Sequence, residues 1–578
     1  MAARPATFGS SFAGAANAVL SRAGRLPLID LGLLAGIVAA GVGVVGLAAR
    51  WAAPYRAAVE IDLSISALPR YALLSLSRGL AAYVLSLGFT LLYGGWAARD
   101  RLAERVLVPL LDVLQSIPVL GFMPGVVLAL VGAFPGTNVG LELAAVVMIF
   151  TGQAWNMAFS FYQSVKTVPA DLSEVAALLR FGPLRRLRWL ELPFAATGLV
   201  WNSMMSMAGG WFFLMVSEAF VLGDRDFRLP GLGSYMSVAV ARGDGRAMVA
   251  SALAMALLIV LLDQLLWRPL VVWAQRFRTE ESGQAEEMTS WFFDLVRRSR
   301  LAERLRTRRR AAFVRPASPP PPNALARAET SRFANLVLFV ALVALLAFGA
   351  TEVVRLMRPV TLATWSSLVV DASLTLARVL AAVAAGTLWT LPAGLAIGLS
   401  PRLSRVLQPA VQVAASFPAP MLFPAVVVVL RALGVPLGTG SVVLMLLGTQ
   451  WYVLFNVVAG ASAIPADLRE AAEIFRFGRW QRFWKLHFPA VFPHLLTGWV
   501  TAAGGAWNAS IVSEYVSTGG ETLRAHGLGA TISQHATAGR FPELAAAVVV
   551  MAVVVVGFNR LVWRRLHVLG EERFSLVR

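Results

Sequence analysis

The sequence contains no cysteine, which excludes a disulfide framework, a thiolate metal site and a cysteine nucleophile. Its five scattered histidines leave little for metal binding, so we expect no metal site. Charged residues are also scarce: they make up 14% of the 578 residues, whereas 57% are hydrophobic. That composition is too apolar for a water-soluble fold and argues against a soluble enzyme. The sequence therefore predicts an all-α polytopic membrane protein.

The net charge of +19, from 51 basic and 32 acidic residues, would suggest a nucleic-acid partner in a soluble protein. In a membrane protein, basic residues accumulate in cytoplasmic loops, so we expect no nucleic-acid partner. The densest basic cluster, at 297–310, precedes prolines at 316 and 319–322. It predicts a cytoplasmic basic helix and a semi-rigid linker, with anionic membrane lipids as the nearer partner.

Apolar runs of spanning length, about 20 residues each, form two sets of six. The first set covers residues 28–49, 73–96, 106–133, 141–165, 194–222 and 248–267. The second set covers residues 333–350, 374–399, 406–430, 441–460, 490–516 and 544–563. The predicted fold is thus about 12 transmembrane helices in two tandem six-helix halves. We interpret the first run as a retained span rather than a signal peptide.

The two halves are internal repeats. Residues 105–124 align with 405–424 without a gap, and PADLSEVAALLRFG at 169–182 matches PADLREAAEIFRFG at 465–478. This divides the chain into a first half (1–274), a linker (275–332) and a second half (333–578). Placing the basic linker in the cytoplasm also places there both termini and the loops 168–193 and 464–489.

The loop after the fourth span is the most informative segment of each half. In the first copy, Asp171 and Glu174 have the spacing of a capping box and predict a helix that starts directly after Asp171. Gly182 stands where a left-handed residue is expected to end this helix. Pro183 favours the start of a second short helix, which we expect to end at Pro193.

Each of these loops also carries an apolar stripe, with the spacing i, i+3, i+4 and i+7 that indicates one helix face. The stripe consists of Leu172, Val175, Ala176 and Leu179 in the first copy and of Leu468, Ala471, Ala472 and Phe475 in the second. Such a helix suits the groove of a partner protein. The alternative is a helix that lies on the lipid surface; two copies in register favour the partner protein.

These loops resemble the EAA loop of permease subunits of binding-protein-dependent ABC importers, where it is the coupling helix that docks on the cytoplasmic ATPase. The one departure is Val175, which replaces the usual first alanine and preserves the stripe. The resemblance assigns coupling to Asp171, Glu174, Ala176, Ala177, Gly182, Asp467, Glu470, Ala471, Ala472 and Gly478, with Pro193 and Pro489 as further matches.

Further matches narrow the resemblance. Gly209, Trp211, Ser217, Glu218 and Gly231-Leu232-Gly233 recur as Gly505, Trp507, Ser513, Glu514 and Gly527-Leu528-Gly529. Together with Ser116-x-Pro118 and Ser416-x-Pro418, this pattern is similar to permeases for nitrate, taurine, alkanesulfonates and bicarbonate. It implies a type I importer-like fold in the bacterial inner membrane and a small anion or organic acid as substrate. Permeases of this kind are commonly single copies that act as a pair, so the fusion of two permease units in one chain is a departure. It lets the two halves specialise.

The sequence has no Gly-x-x-x-x-Gly-Lys-Ser/Thr phosphate loop, since its only lysines, Lys166 and Lys485, do not follow a glycine. We therefore expect a transport subunit that is not an enzyme and holds no cofactor, with ATP and Mg²⁺ bound by a partner. Two coupling loops imply two copies of a cytoplasmic ABC ATPase. The family further implies a periplasmic or lipid-anchored substrate-binding protein and alternating access by rocking of the halves.

Polar residues within spans are candidates for the substrate pathway, because they face a cavity or a neighbouring helix by default. The candidates are Ser116, Gln153, Asn156, Trp211, Glu218, Ser416, Gln450, Trp507, Asn508 and Glu514, with Gln115, Asn202, Gln412 and Asn456 as further polar positions. For most of them, hydrogen bonding between helices is favoured over contact with substrate. Since a carboxylate repels an anionic substrate, we expect a structural or gating role for both glutamates. Prolines 118, 124, 418 and 424 are expected to break or kink the third spans.

Two other functions are weighed against the importer permease. A proton-coupled secondary transporter would use Glu218 and Glu514 as proton carriers but leaves the paired loops without a purpose. A membrane-embedded enzyme is disfavoured, because no Cys/His cluster or acid pair marks a membrane edge. The substrate, the division of labour between the halves, the role of the linker and the identity of the two ATPase copies stay open.

Overall fold

The computed structural model describes residues 59–223, 225–277, 290–298, 324–518 and 521–574. The predicted first span at 28–49 lies outside these residues, as do residues 299–323, which hold most of the basic cluster and the prolines.

The first half is built from helices joined by short turns. Its elements are α1 (Leu68–Phe89), α2 (Gly95–Arg99), α3 (Arg101–Ser116), α4 (Val119–Ala133), α5 (Val139–Lys166), α6 (Ala170–Leu178), α7 (Pro183–Arg186), α8 (Leu192–Glu218), β1 (Ala219–Leu222), β2 (Arg225–Arg228), α9 (Leu232–Arg242), α10 (Gly245–Leu262) and α11 (Arg268–Ala274). Single π-helical turns join α1 to α2, α7 to α8 and α10 to α11, so each pair forms one continuous helical run.

The second half repeats this order after two helices that begin in the predicted linker. Those two are α12 (Trp291–Arg298) and α13 (Ala324–Met357). The repeat comprises α14 (Leu362–Leu399), α15 (Pro401–Ser416), α16 (Phe423–Ala432), α17 (Leu437–Ser462), α18 (Ala466–Ile474), α19 (Arg479–Arg482), α20 (Phe488–Ser513), β3 (Tyr515–Thr518), β4 (Glu521–Arg524), α21 (Leu528–Thr537), α22 (Phe541–Phe558) and α23 (Arg564–Phe574).

Eight helical runs in the described residues are long and apolar enough to cross a membrane. They are Ile65–Arg99, Val139–Lys166, Pro183–Glu218, Gly245–Phe277, Phe339–Met357, Leu362–Leu399, Leu437–Ser462 and Phe541–Phe574. Each coincides with a predicted span. The prediction of an all-α polytopic membrane protein is confirmed, and the predicted spans without such a run are the third of each half, the fifth of the second half and residues 28–49.

The third predicted span of each half is broken into two helices near its middle. In the first half, Ile117 and Pro118 are extended between α3 and α4. In the second half, Phe417 and Pro418 are extended before a 3₁₀ turn and α16. A proline disfavours helical geometry at the residue before it, which explains both breaks. Pro124 instead lies inside α4 without ending it.

The fifth predicted spans are shorter than expected, because their last residues form β-hairpins. Helix α8 ends at Glu218 and α20 at Ser513. The residues that follow pair as β1 with β2 and β3 with β4, both antiparallel. In the first hairpin, the opposed Phe220 and Phe227 rings stack at 5.2 Å, and such cross-strand aromatic pairs stabilise a hairpin.

The two halves share one hydrophobic core. Helix α4 of the first half packs against α20 and α22 of the second, and α8 packs against α15. Gly121 allows close packing, since a Cβ there would lie 3.1 Å from Val548. At the hairpin side, Gly223 N–H donates to the carbonyl of Ala536 at 3.2 Å.

Candidate functional site

The two predicted coupling loops lie at the ends of α5 and α17. Helix α6 begins at Ala170, and Pro169 precedes it without a side-chain capping bond. The predicted capping box is therefore wrong: Asp171 lies in the first turn and Glu174 in the middle of the helix. Asp171, like Asp467 in α18, still places a negative charge near a helix N-terminus, where the helix dipole favours it.

The turn after each of these helices uses arginine rather than glycine. Arg180 and Arg476 adopt the left-handed conformation, with φ of 51° and 50°. Arg180 N–H donates to the carbonyl of Ala177 at 2.9 Å, which closes the helix. The prediction that Gly182 is the left-handed residue is therefore wrong; Gly182 and Gly478 are extended and directly precede α7 and α19. A left-handed residue with a Cβ costs about 1–2 kcal/mol.

The second short helix begins at Pro183 as predicted but does not end at Pro193. A π-helical turn carries α7 directly into α8, and its altered hydrogen bonding accommodates the proline. Within this turn, the buried Glu191 carboxylate pairs with Arg99, and Arg186 Nε lies 3.2 Å from it. The ion pair between Glu191 and Arg99 thus connects the end of the loop to α2.

The second half has a histidine where the first half has Glu191. His487 lies in the π-helical turn between α19 and α20. Burial, together with the nearby Arg482 charge, lowers the pKa of His487. The two loops therefore share a backbone path but differ in charge at this position.

The residues of each predicted apolar stripe differ in exposure: one alanine is buried against the protein, and the larger residues are exposed. Ala176 and Ala472 are each 4% exposed and pack against the chain. The larger members are exposed: Leu172 41%, Val175 50%, Leu179 60%, Leu468 39% and Phe475 73%. Exposed neighbours extend each patch, namely Leu178, Leu184, Ile474 and Trp480. Equivalent positions of the two halves thus carry two exposed apolar patches.

A cavity of about 250 Å³ lies between the halves, at the breaks in the third spans. Residues halfway along α5, α8, α17 and α20 form its walls. Gln115 and Val119 flank the first break, and Phe417 and Pro418 lie at the second. Its position between repeated halves and at broken helices is typical of a transporter substrate site.

The structure brings only some of the predicted pathway residues to this cavity. Asn156, Trp507, Asn508 and the further candidate Gln115 line it. Gln153 is buried and bonds Met207 and Ser86, and Gln450 accepts from the Trp389 indole at 3.0 Å. Ser416 donates to the carbonyl of Gln412, Trp211 is buried in the first half, and the Ser116 side chain lies outside the described part of the structure.

Glu218 and Glu514 lie away from the cavity in buried ion pairs at the hairpin ends of α8 and α20. Arg78 on α1 is fully buried and donates to Glu218 at 2.7 Å and to Glu142 at 2.6 and 2.8 Å. Arg378 on α14 donates to Glu514 at 2.8 Å. The sequence reasoning missed both arginines, although a lone arginine within each apolar run was a signal.

The same glutamates hold the segments that follow the hairpins. Glu218 accepts from Gly233 N–H at 2.7 Å, and Glu514 accepts from Gly529 N–H at 2.9 Å. A side chain at Gly231 would clash with the Glu218 carboxylate. The glycines of the Gly-Leu-Gly motifs are therefore required by this close approach, which supports a structural role for both glutamates.

Polar contacts also join the halves. Asn508 Oδ1 accepts from Val119 N–H at 2.8 Å, which satisfies a backbone donor freed by the first break. Gln412 on α15 donates to Asp263 Oδ1 at 3.2 Å. The equivalent of Asn508 in the first half is Phe212, so the cap has no counterpart at the second break.

A sequence model of the family described as binding-protein-dependent transport system inner membrane component matches residues 90–266 and 386–565. The two matches cover more than half of the chain and fall in its two repeated halves.

Relatives with assigned functions agree with this match. The taurine transport system permease protein TauC of Escherichia coli (strain K12) is 28% identical over 181 residues, which is 31% of this chain and 60% of that protein. The nitrate import permease protein NrtB of Leptolyngbya laminosa is 27% identical over 184 residues, or 31% and 62%. The bicarbonate transport system permease protein CmpB of Synechocystis sp. (strain ATCC 27184 / PCC 6803 / Kazusa) is 27% identical over 126 residues, or 22% and 44%. The chain thus spans about half the length of these relatives.

Proposed function

Because this chain belongs to the family of binding-protein-dependent transport system inner membrane components, we propose that it is the fused, two-half permease of an ATP-driven importer in a bacterial inner membrane. The observation that carries this proposal is the pair of equivalent exposed apolar patches on α6 and α18. Contact with lipid alone would not explain why both halves contain a loop with the same helix–turn–helix path. Both chain termini and both patches are proposed to lie in the cytoplasm.

Coupling is proposed to occur through these patches. The buried Ala176 and Ala472 anchor each helix to the permease, while Leu178 and Ile474, 81% and 78% exposed, present the docking surface. Each patch would sit in a groove on one ATPase copy. Because no phosphate loop occurs in the sequence, ATP and Mg²⁺ would be held by those subunits.

Transport is proposed to follow alternating access. When the two ATPase copies close, they would move both loops together. Since α7 runs into α8 without a break, movement of a loop passes directly to a helix that lines the cavity. The substrate class suggested by the relatives is a small anion or organic acid, delivered by a periplasmic or lipid-anchored binding protein.

The proposal is tested by a mild-detergent pull-down of the intact chain with mass spectrometry of copurifying proteins. We expect the parent chain to recover a protein with a phosphate loop, and the double variant Glu174→Arg, Glu470→Arg to lose it. Both glutamates are exposed on α6 and α18, so the variant changes the surface and not the core. The control is Glu60→Arg, a single charge reversal at an exposed site outside both loops.

Uptake into proteoliposomes separates this function from proton-coupled transport. We expect uptake to require ATP and the copurified ATPase. Recovery of the chain alone, with uptake that follows a proton gradient, would contradict the importer proposal and favour Glu218 and Glu514 as proton carriers.

A further inference from the structure

The cavity between the halves is rich in aromatic side chains. Its 32 lining residues include four tryptophans, five phenylalanines and one tyrosine, whereas aromatic residues make up 10% of the chain. Both halves contribute, with Trp155 and Phe212 on one side and Trp451, Tyr452 and Trp507 on the other. Among the described residues that line the cavity, none is charged.

The volume of the cavity exceeds what an inorganic oxyanion needs. At about 30 Å³ per water molecule, a cavity of about 250 Å³ has room for about eight waters. An anion of nitrate or bicarbonate size would fill a small part of it.

Several of the rings are held in fixed positions, as a binding site requires. Trp155 packs edge-on against Phe89 at 5.8 Å, and Trp451 packs edge-on against Trp389 at 6.2 Å. Gly504 on α20 faces open space, because a Cβ there would meet no atom within 4 Å. The rings therefore border an open slot rather than filling it.

Neutral hydrogen-bonding groups complete the lining. They are the amides of Gln115, Asn156, Asn508 and Asn559. The hydroxyls of Thr151, Thr449 and Thr501 also line the cavity, but each donates its proton to a backbone carbonyl of its own helix. Pockets for organic ligands combine such a mostly apolar wall with a few polar groups that orient the ligand. We propose that the cavity binds an organic anion that carries an aromatic ring, such as an arylsulfonate, with the ring between the tryptophans and the headgroup at these amides. This inference rests on the proposed permease function and specifies its substrate class.

Equilibrium binding of labelled ligands to the full chain in nanodiscs tests the substrate class. Benzenesulfonate and methanesulfonate share a headgroup and differ in the ring. Because a stacked aromatic pair adds attraction beyond the burial of its area, we expect benzenesulfonate to bind about two- to ten-fold more tightly. Nitrate should bind more weakly than benzenesulfonate. Equal affinity of the two sulfonates, tighter binding of nitrate, or preference for benzyltrimethylammonium would overturn the proposal.

Two variants place the binding in the cavity. Gly504→Leu puts a side chain into the open slot and should abolish benzenesulfonate binding, and Trp451→Leu should weaken it. The matched controls are Gly88→Leu, a helix glycine on the outer surface with no atom within 4 Å of an added Cβ, and Trp273→Leu, an exposed tryptophan outside the cavity. Both controls should bind as the parent does. Loss of binding in the controls, or its retention in Gly504→Leu, would contradict the assignment.

This assay contains no ATPase, so its outcome is separate from that of the pull-down. If the pull-down recovers an ATPase and benzenesulfonate does not bind, the permease function stands and the substrate class is wrong. If benzenesulfonate binds and no ATPase is recovered, the cavity assignment stands and the coupling proposal fails.

Discussion

At the residue scale, the arginines opposite the membrane-embedded glutamates differ between the halves. Arg78 is fully buried between Glu142 and Glu218. In the second half Glu142 is replaced by Gly438, whose carbonyl accepts from Arg378 Nε at 2.9 Å. The Arg378 side chain is 14% exposed. The first half thus encloses three charges, and the second encloses two with partial access to solvent.

This difference predicts unequal effects of removing the two arginines. Arg78→Met leaves two carboxylates unpaired in an apolar interior, and breaking a buried ion pair costs about 3–5 kcal/mol. Arg378→Met leaves one carboxylate and should cost less. The measurement is thermal unfolding of the purified chain. Arg70→Met, an exposed arginine on the same helix as Arg78, should leave the midpoint unchanged.

An equal loss of thermal stability in both arginine variants would contradict this prediction, because it would show that Glu142 does not increase the dependence of the first half on Arg78. A Glu218→Gln variant that keeps ATP-driven uptake would agree with a structural role for the glutamate. Conversely, loss of uptake with an unchanged unfolding midpoint would point to proton transfer.

At the element scale, the two predicted coupling loops have the same fold, and we expect them to respond differently to acid. Burial and Arg482 lower the pKa of His487 below its usual 6.5. The folded loop therefore favours neutral histidine, and the unfolded loop takes up a proton first as the pH falls. Stability of the second loop should drop as the pH falls below 6.5 and level off below the pKa of the folded state.

Hydrogen exchange, corrected for its intrinsic pH dependence, measures this effect. Residues 464–489 should lose protection on acidification more than 168–193, which has Glu191 at the equivalent position and serves as an internal control. His487→Gln should remove the difference between the loops. An identical acid response of the two loops in the parent chain would contradict the prediction.

The elements also show which features the sequence alone could predict. The repeated apolar runs located most of the spanning helices, since helix formation in a bilayer depends on length and apolarity that a sequence displays directly. The proline breaks were predicted because Pro118 and Pro418 act locally on the preceding residue. The ends of α6 were predicted wrongly, because Arg180 rather than Gly182 adopts the left-handed conformation and that choice depends on the surroundings of the turn.

The cavity was predicted less well than the elements. The polarity of a residue within a span was a poor guide to the cavity lining, because Gln153 and Gln450 form hydrogen bonds with neighbouring helices instead. Trp507 was a candidate, but the rest of the aromatic lining was missed for the converse reason: tryptophans are expected at membrane interfaces, and only the packing of two halves places Trp155 and Trp451 around one space. Contacts between segments that are distant in the sequence determine which residues line such a cavity.

At the scale of the whole molecule, the two halves form one body with unequal contributions. Asn508 of the second half caps the break in the first, and Phe212 offers no equivalent cap to the second break. Gln412 and Asp263 add a second polar contact between the halves. Fusion of the halves permits this asymmetry, because a pair of identical units would have to use one sequence for both sides.

These contacts predict that the halves stay together without a covalent link. A specific protease site inserted within 311–323, between the halves, allows the purified chain to be cut. Because one apolar core and polar contacts such as Asn508 with Val119 join the halves, we expect both fragments to remain in one complex on size exclusion and to keep ATP-driven uptake. Asn508→Leu leaves the Val119 donor unsatisfied at a cost of about 1–3 kcal/mol and should make the cut halves separate more readily. Prompt separation of the parent fragments would instead mean that the linker itself holds the asymmetric pair together.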